Sequence, residues 1–335
     1  MKKKISLLII IAIILSSLSF IIYKPSPIKI KIGYIPAASY GLLWIAYEKG
    51  YFNNEGLEIE LKEYPSVAQL AIALYNKEID GAPLTSVAIA AFIRRIDIVI
   101  VAGNSLDGTA LISNYKFSKL EDLSGKIIGT VQYVPGDFVF KEVFSKINLN
   151  VSLKEYLSPS DALQALESGI VDAALLWEPY ASLAEYRNLT IVLWDGQVYP
   201  QDYPCCLQVF LSSFVKSNPE AIIKFIRALI KAEKLAYENP SEAFPLVKKY
   251  LPAIPPEIVY KSIFYNDPLI NRTRNPISAY ISKESLISFY SLLVPSLISQ
   301  YDYSLLISKI DLSYYEKAIN SLRAEGISLP SKYLR

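Results

Sequence analysis

At 335 residues the chain is longer than one average domain, so we expect two folded lobes. Its 34 basic and 32 acidic residues give a formal net charge of only +2, which excludes the strongly basic surface typical of nucleic-acid-binding proteins. The chain has no histidine, which is the commonest general base and the commonest metal ligand, so its composition argues against catalysis and against a metal site.

The first 23 residues form a segment that we expect to export the rest of the chain. Three lysines lie within residues 1–4 and precede an apolar run over residues 5–15, which is the order of a secretory signal. Ser17 and Ser19 supply small residues for cleavage. Residues 5–23 are also long enough to cross a bilayer uncut, with the lysines on the cytoplasmic side. A cleaved signal and a membrane anchor both place the body outside the cytoplasm, after a linker at residues 24–27.

From residue 28 short strands alternate with helices. Alternating or continuous apolar residues predict the strands, and apolar residues at helical spacing predict the helices. The predicted strands cover residues 28–32, 57–62, 97–102, 126–131 and 171–176, and the predicted helices cover residues 42–49, 137–147, 160–168 and a segment opened by Pro65-Ser66. Gly50 can end the first helix, and Ser160 can cap the helix before Gly169.

The two halves of this pattern resemble each other in sequence. Residues 73–84 and 165–176 both read AL-x4-[IV]-D-[GA]-A-x-L at an offset of 92 positions, and Ser66 and Ser158 keep the same offset. This predicts an α/β fold of two similar lobes, each a mostly parallel sheet flanked by helices. Ligands of such sheets collect beyond the carboxyl ends of the strands, so a cleft between the lobes is the expected site.

The two cysteines, Cys205 and Cys206, are adjacent in the sequence. Neighbouring Cα atoms lie about 3.8 Å apart, below the roughly 4.4–6.8 Å usual for a disulfide. A strained vicinal disulfide is one alternative. We favour two small apolar residues in a buried strand.

Five segments, in this order, resemble the periplasmic solute-binding proteins of the nitrate, sulfonate, taurine and thiamine-pyrimidine group. They are IGYIP at residues 32–36, AYEKGYFNNEGL at 46–57, IDGA at 79–82, LEDLSGKIIG at 120–129 and VDAALLWEPY at 171–180. The resemblance implies the two-lobed periplasmic-binding-protein fold of type II, with two crossing strands and closure by a hinge. It places residues 28–113 and 204–335 in the first lobe, which includes a helical C-terminal tail, and residues 114–203 in the second.

Loops that follow predicted strands supply the first candidate ligand contacts. Ser39 and Tyr40 follow the first strand, and Thr85 and Ser86 follow the strand that contains Asp80. Both loops lead into helix N-termini, where exposed N–H groups suit an anionic group. In the second lobe Gly136 and Asp137 occupy the equivalent place. Capping of the local helix is the alternative role for each polar side chain.

The other candidates come from three further segments of the chain. Gly108 and Thr109 belong to a loop that reaches the ligand in the resembled proteins. Trp177 offers a stacking face to an aromatic or cationic ligand, and Glu178 a partner for an amino group. The alternative is a core tryptophan beside a helix-starting Glu-Pro. Asp195 follows a further strand and is a weaker candidate.

We therefore expect an extracytoplasmic solute-binding protein, not an enzyme, that passes a small molecule to the permease and ATPase of an ABC importer. We expect a monomer with no cofactor, no metal and no nucleic-acid partner. A pyrimidine-precursor synthase on the same fold is disfavoured, because the resembled synthases use an active-site histidine. A sensor without a transport role remains open. Sulfonate or nitrate would suit helix N-termini, whereas an aromatic or amine-bearing ligand, which we favour, suits Trp177 and Glu178.

Overall fold

The computed structural model describes residues 26–329, except residues 116, 118, 200–202 and 295. The predicted signal or anchor at residues 1–23 lies outside the described residues. Within the described ranges no helix is both long and apolar enough to cross a membrane.

The chain alternates strands and helices, as the sequence predicts. The strands are β1 (Ile28–Tyr34), β2 (Leu57–Glu63), β3 (Gly81–Thr85), β4 (Ile98–Leu106), β5 (Thr109–Ser113), β6 (Ile127–Val131), β7 (Ser152–Tyr156), β8 (Ala173–Trp177), β9 (Thr190–Trp194), β10 (Pro204–Leu211), β11 (Asn266–Asp267) and β12 (Arg272–Thr273). The α-helices are α1 (Gly41–Glu48), α2 (Tyr51–Asn54), α3 (Val67–Tyr75), α4 (Ser86–Phe92), α5 (Pro135–Lys146), α6 (Pro159–Glu167), α7 (Tyr180–Tyr186), α8 (Ser212–Ser217), α9 (Pro219–Glu238), α10 (Pro240–Lys248), α11 (Pro256–Phe264), α12 (Lys283–Leu293), α13 (Gln300–Ser308) and α14 (Ser313–Ala324).

Two five-stranded sheets form the two lobes, with the orders β2-β1-β3-β10-β4 and β7-β6-β8-β5-β9. The predicted two-lobed α/β fold is confirmed, but the sheets are mixed rather than mostly parallel. β1 runs parallel to β2 and β3, whereas β10 runs antiparallel to β3 and β4. In the second sheet β5 is the strand antiparallel to both neighbours. The reason is that β5 and β10 each enter a sheet directly from the other lobe, without the helical crossover that a parallel strand needs.

The lobe boundary and the tail differ in detail from the prediction. Residues 110–113 were assigned to the first lobe, but they belong to β5 in the second sheet, so the first crossing comes between Leu106 and Thr109. Most of the buried apolar residues of the C-terminal tail belong to the hydrophobic cluster of the first lobe. However, Ile258 of α11 and Ile270 pack into a hydrophobic cluster of the second lobe. The tail therefore touches both lobes.

The repeat in the sequence corresponds to a repeat in the structure. The Asp80 carboxylate accepts a hydrogen bond from the Lys31 backbone N–H at 2.8 Å, and Asp172 accepts the same bond from Ile127 at 2.9 Å. Each aspartate thereby fixes the start of a central strand against its neighbour. Ser66 and Ser158 cap α3 and α6 with their side chains. The cap of α6 is therefore Ser158, not Ser160 as predicted, because Pro159 already occupies the first helical position.

Candidate functional site

A small cavity of about 30 Å³ lies between the lobes. Its walls come from the loop after β1, from the ends of β3 and β8, from the start of α5 and from both crossing segments. A second space of about 60 Å³ adjoins it, and the two share Ile35, Val67 and Trp177. Trp177 thus stands between an inner and an outer chamber of one cleft. This is the place where the fold predicts a ligand.

The first-lobe wall contains three of the predicted contacts. Ser39 and Tyr40 line the inner chamber, and the Tyr40 hydroxyl donates a hydrogen bond to the Pro83 carbonyl at 2.9 Å. Thr85 also lines it and caps α4 by accepting a bond from the Ala88 N–H at 3.1 Å. Ser86 is fully buried and does not reach the cavity. Thr85 therefore has both roles that the sequence offered, since it caps α4 and also lines the cavity.

The lobes touch through Thr85. Its hydroxyl donates a 2.7 Å hydrogen bond to the carbonyl of Tyr133, which lies in the loop between β6 and α5. Tyr133 has a φ of 63°, a left-handed conformation that is uncommon for residues other than glycine. Its ring packs against Phe92 of α4, with centroids 5.4 Å apart. These contacts hold the cleft in a closed arrangement.

The second-lobe wall consists of Val134, Pro135 and Trp177. Gly136 lies behind it in close contact with Thr109, and a Cβ at position 136 would overlap the Thr109 side chain. Asp137 is buried beneath the wall and bonds to Thr130, so it does not reach the ligand space. Burial raises the pKa of Asp137 to about 8, against the lowering effect of Lys141 and of the Thr130 hydroxyl.

Glu178 and Asp195 are structural carboxylates rather than cavity residues, which corrects both predictions. Glu178 is fully buried and accepts hydrogen bonds from the Ser182 N–H at 3.0 Å and from the Ser182 and Ser262 hydroxyls. Burial raises its pKa, while Arg274 opposes that shift. The reason for the error is that Trp177 and Glu178 are successive residues, so their side chains leave the end of β8 in different directions.

Asp195 fastens the two crossing segments together. It accepts bonds from the backbone N–H groups of Gly108 at 3.2 Å and Thr109 at 2.9 Å in the first crossing. It also accepts a 2.5 Å bond from the Tyr203 hydroxyl beside the second crossing. Gly108, with a φ of 99°, forms the turn and does not line the cavity, whereas Thr109 does. We call this group the hinge clasp.

Sequence reasoning missed Cys205, Cys206 and Asn275 as cavity residues, whereas Asp107 belongs to the same loop as the candidates Gly108 and Thr109. Asp107 forms an ion pair with Arg272 at 2.5 Å. Asn275 is 3% exposed, and its Oδ1 has no hydrogen-bond partner among the described residues. A polar loop signal existed for Asp107, which directly precedes Gly108. No local pattern could place Asn275, because it arrives from the distant tail.

The charge of the cavity narrows the class of ligand. Of the described residues that line it, none is lysine or arginine, and the one charged residue is Asp107. The remaining polar atoms are hydroxyls, thiols and the Asn275 amide. An anion bound here would contact no lysine or arginine of the described lining, because Arg272 lies behind Asp107. The arrangement therefore suits an uncharged or cationic molecule with an apolar or aromatic part.

Comparisons with known proteins agree with the two-lobed fold. The model of the NMT1-like family matches residues 23–248. A protein of Brucella abortus (strain 2308) named as a binding protein is 24% identical over 242 residues, which cover 67% of this chain and 72% of the relative. A Bacillus subtilis relative is likewise named a binding protein for aliphatic sulfonates, whereas a Synechocystis relative is named a nitrate import ATP-binding protein.

Solved structures share the fold. The periplasmic nitrate-binding protein NrtA from Synechocystis PCC 6803 superposes with a TM-score of 0.75 at 16% identity, covering 93% of each chain. The alkanesulfonate-binding protein SsuA from Xanthomonas axonopodis pv. citri, bound to MOPS, gives a TM-score of 0.70 at 17% identity, covering 86% of this chain and 99% of that one. The predicted fold and relationship are both confirmed. Because the family model spans more than half of its residues, this chain belongs to the NMT1-like family.

Proposed function

We propose that this protein captures a small organic solute between its lobes outside the cytoplasm and delivers it to the permease of an ABC importer. The observation that carries the proposal is the inter-lobe cavity, whose walls come from both lobes and both crossing segments. Closing the lobes encloses a ligand in such a cavity, and opening them releases it. The names of the relatives and structural neighbours support the same role.

The ligand that fits best is an uncharged or cationic organic molecule with an aromatic part. Trp177 is half-buried between the chambers and offers a ring face. The free Oδ1 of Asn275 is a buried acceptor for an N–H or O–H donor of the ligand.

The anions named for the structural neighbours fit less well here. Nitrate or a sulfonate in this cavity would meet no lysine or arginine among the described lining residues. It would have to be bound by hydroxyls and backbone N–H groups alone. An anionic ligand is therefore the second choice, although the sequence offered both.

Export and partners complete the proposal. The basic and apolar residues at the N-terminus support an extracytoplasmic location, by a cleaved signal or an uncut anchor. A permease and an ATPase are the expected partners, and we propose a monomer as the form that docks on them. Detecting the chain in a periplasmic or cell-surface fraction, rather than with cytoplasmic markers, would test the location.

A thermal-shift screen tests the binding function. The panel contains thiamine-precursor pyrimidines, aromatic amines, alkanesulfonates, nitrate and bicarbonate. A ligand at 100 times its Kd stabilises the native state by about 2.7 kcal/mol, which moves the Tm by several degrees. We expect the shift with an aromatic or amine-bearing compound, and we expect Trp177→Ala to remove it. Tyr186→Ala, an exposed aromatic outside the cavity, is the control. A screen without any shift would contradict the proposed function, and an unchanged affinity in Trp177→Ala would remove that residue from the site.

A further inference from the structure

Both cysteines of the chain face the inter-lobe cavity. Cys205 and Cys206 are its only cysteines, and both line the inner chamber. Their Sγ atoms are 3.7 Å apart, and both are free thiols. Neither the proposed solute nor the hinge clasp explains why two thiols lie together at the floor of a ligand cavity.

An irregularity in β10 makes this arrangement possible. Neighbouring side chains of a regular strand point to opposite faces, so adjacent residues do not normally line one cavity. Here the pairing of β10 with β4 shifts register between Pro204 and Cys206 and again between Cys206 and Leu207. Cys205 has no partner residue in β3 or β4. Such bulges re-aim side chains next to functional sites.

The surroundings of the pair favour one thiolate beside one thiol. The hydrogen bond from the Cys205 thiol lowers the pKa of Cys206, and the hydroxyls of Ser105 and Ser39 act in the same direction. The same bond and burial raise the pKa of Cys205. A thiolate is the form that attacks an electrophilic centre, and the neighbouring thiol can then supply the second bond.

We propose that Cys205 and Cys206 form a dithiol site that binds a trivalent thiophilic oxyacid, of the chemical type of arsenous acid. Two sulfur–arsenic bonds form and two arsenic–oxygen bonds break. The two thiol protons leave with the two hydroxide groups as two molecules of water, and no oxidation state changes. The bound product carries no net charge, which suits a cavity whose described lining includes no lysine or arginine.

The sulfur spacing favours this class over other thiophiles. With bonds of about 2.3 Å, as in zinc thiolates, two sulfurs on one pyramidal centre lie roughly 3.3–3.8 Å apart, whereas two sulfurs on a linear ion lie about 4.6 Å apart. The observed 3.7 Å fits the pyramidal centre. A four-coordinate metal would need further protein ligands, and no cluster of three or more candidate ligand residues occurs in the described part of the chain.

This site does not depend on the proposed transport function. It occupies the floor of the same cavity, so an oxyacid bound to the two sulfurs would also exclude an organic ligand. A failed screen of organic solutes would leave the dithiol proposal standing, and failed oxyacid binding would leave the transport proposal standing.

The test uses sodium arsenite and the reduced full chain. We expect one arsenic per chain, the loss of both titratable thiols, a raised Tm, and reversal by a small dithiol. Cys205→Ser and Cys206→Ser should each bind about 100-fold more weakly, because the second bond of a chelate adds roughly 10²–10⁴ in affinity. Cys205 is only half-buried, so Cys205→Ser keeps the test valid if replacement of Cys206 impairs folding.

The urea-unfolded wild-type chain is the matched control, since it keeps the two adjacent cysteines but has no cavity. Arsenite that binds the unfolded chain as tightly as the folded one, and so leaves the Tm unchanged, would overturn the proposal. Equal binding by wild type and Cys205→Ser would overturn it as well.

Discussion

Replacing Asp195 tests whether this residue stabilises the fold or contacts the ligand. Its carboxylate is fully buried and accepts bonds from Gly108, Thr109, Gly196 and Tyr203. Burial and the nearby Asp195 carboxylate raise the pKa of Tyr203 well above its usual value, which keeps that hydroxyl protonated and donating. In Asp195→Ala these donors lose their acceptor together. Each buried donor left unpaired costs roughly 1–3 kcal/mol.

Water can refill part of the space that the carboxylate leaves, so the total is smaller than the sum of the individual costs. We expect Asp195→Ala to lower the free energy of unfolding by about 3–5 kcal/mol, which is less than the sum for four donors left unpaired. Asp195→Asn keeps one acceptor oxygen and should lose less. Tyr203→Phe removes a single bond to a charged acceptor and should lose about 1.5–3 kcal/mol.

Urea denaturation of the three variants and the double variant Asp195→Ala/Tyr203→Phe provides the measurement. The double variant should be barely less stable than Asp195→Ala, because its second replacement removes a donor that has already lost its acceptor. If Asp195→Ala unfolds within 1 kcal/mol of wild type but no longer binds ligand, the hinge clasp is wrong and Asp195 is a ligand contact, as the sequence suggested.

Three further changes test the cleft and its surroundings. Thr85→Val removes the inter-lobe hydrogen bond to the Tyr133 carbonyl, so we expect the ligand to dissociate roughly 2- to 10-fold faster. Stopped-flow tryptophan fluorescence measures this rate. An unchanged rate would show that this bond does not hold the cleft closed. Gly136→Ala forces a Cβ against Thr109, so closure and ligand affinity should both fall in calorimetric titration. Gly129→Ala, whose Cβ would meet its neighbours only at 3.4 Å or more, should leave the affinity unchanged. Asp137 is neutral when folded, with its pKa at about 8, so its contribution to stability is fully present below about pH 4 and is lost as the pH rises toward 8. Between about pH 4 and pH 8, the free energy of unfolding should fall less steeply in Asp137→Asn than in wild type, by about 1.4 kcal/mol per pH unit. Parallel curves for the variant and wild type would contradict the raised pKa of Asp137.

The sequence predicted those parts of the fold that depend on local patterns. The repeated aspartates are the clearest case, because Asp80 and Asp172 sit at matching positions of a sequence repeat and accept the same backbone bond in each lobe. Thr85 and Trp177, which the sequence offered as candidates after strands, lie at the ends of β3 and β8 and line the cavity. In such sheets, the residues that follow the carboxyl end of a parallel strand lie at the ligand cleft.

What the sequence could not predict depends on long-range contacts. β5 and β10 run antiparallel to their neighbours because the chain crosses between the lobes just before each of them. The periodicity of apolar residues in the sequence does not show where the chain crosses. Asp195 and Glu178 appeared to be site residues because carboxylates after strands often are. Whether such a group faces the cavity or the interior depends on partners elsewhere in the chain, here Tyr203 and Arg274. Cys205 and Cys206 both line the cavity because the pairing of β10 with β4 shifts register there, and the local sequence does not show this shift.

The tail adds a constraint on how the lobes can move. Arg274 binds Glu185 of the second lobe at 2.7 Å. Ser278, a few residues later, donates its N–H to the Asn104 carbonyl of the first lobe at 3.0 Å. The chain therefore passes between the lobes a further time here, beside the crossings at Asp107 and Cys205. Asn275 lies within this passage, close to the axis about which the lobes would turn. A side chain near the axis moves little on opening, so Asn275 can hold its acceptor in place while the cleft walls separate.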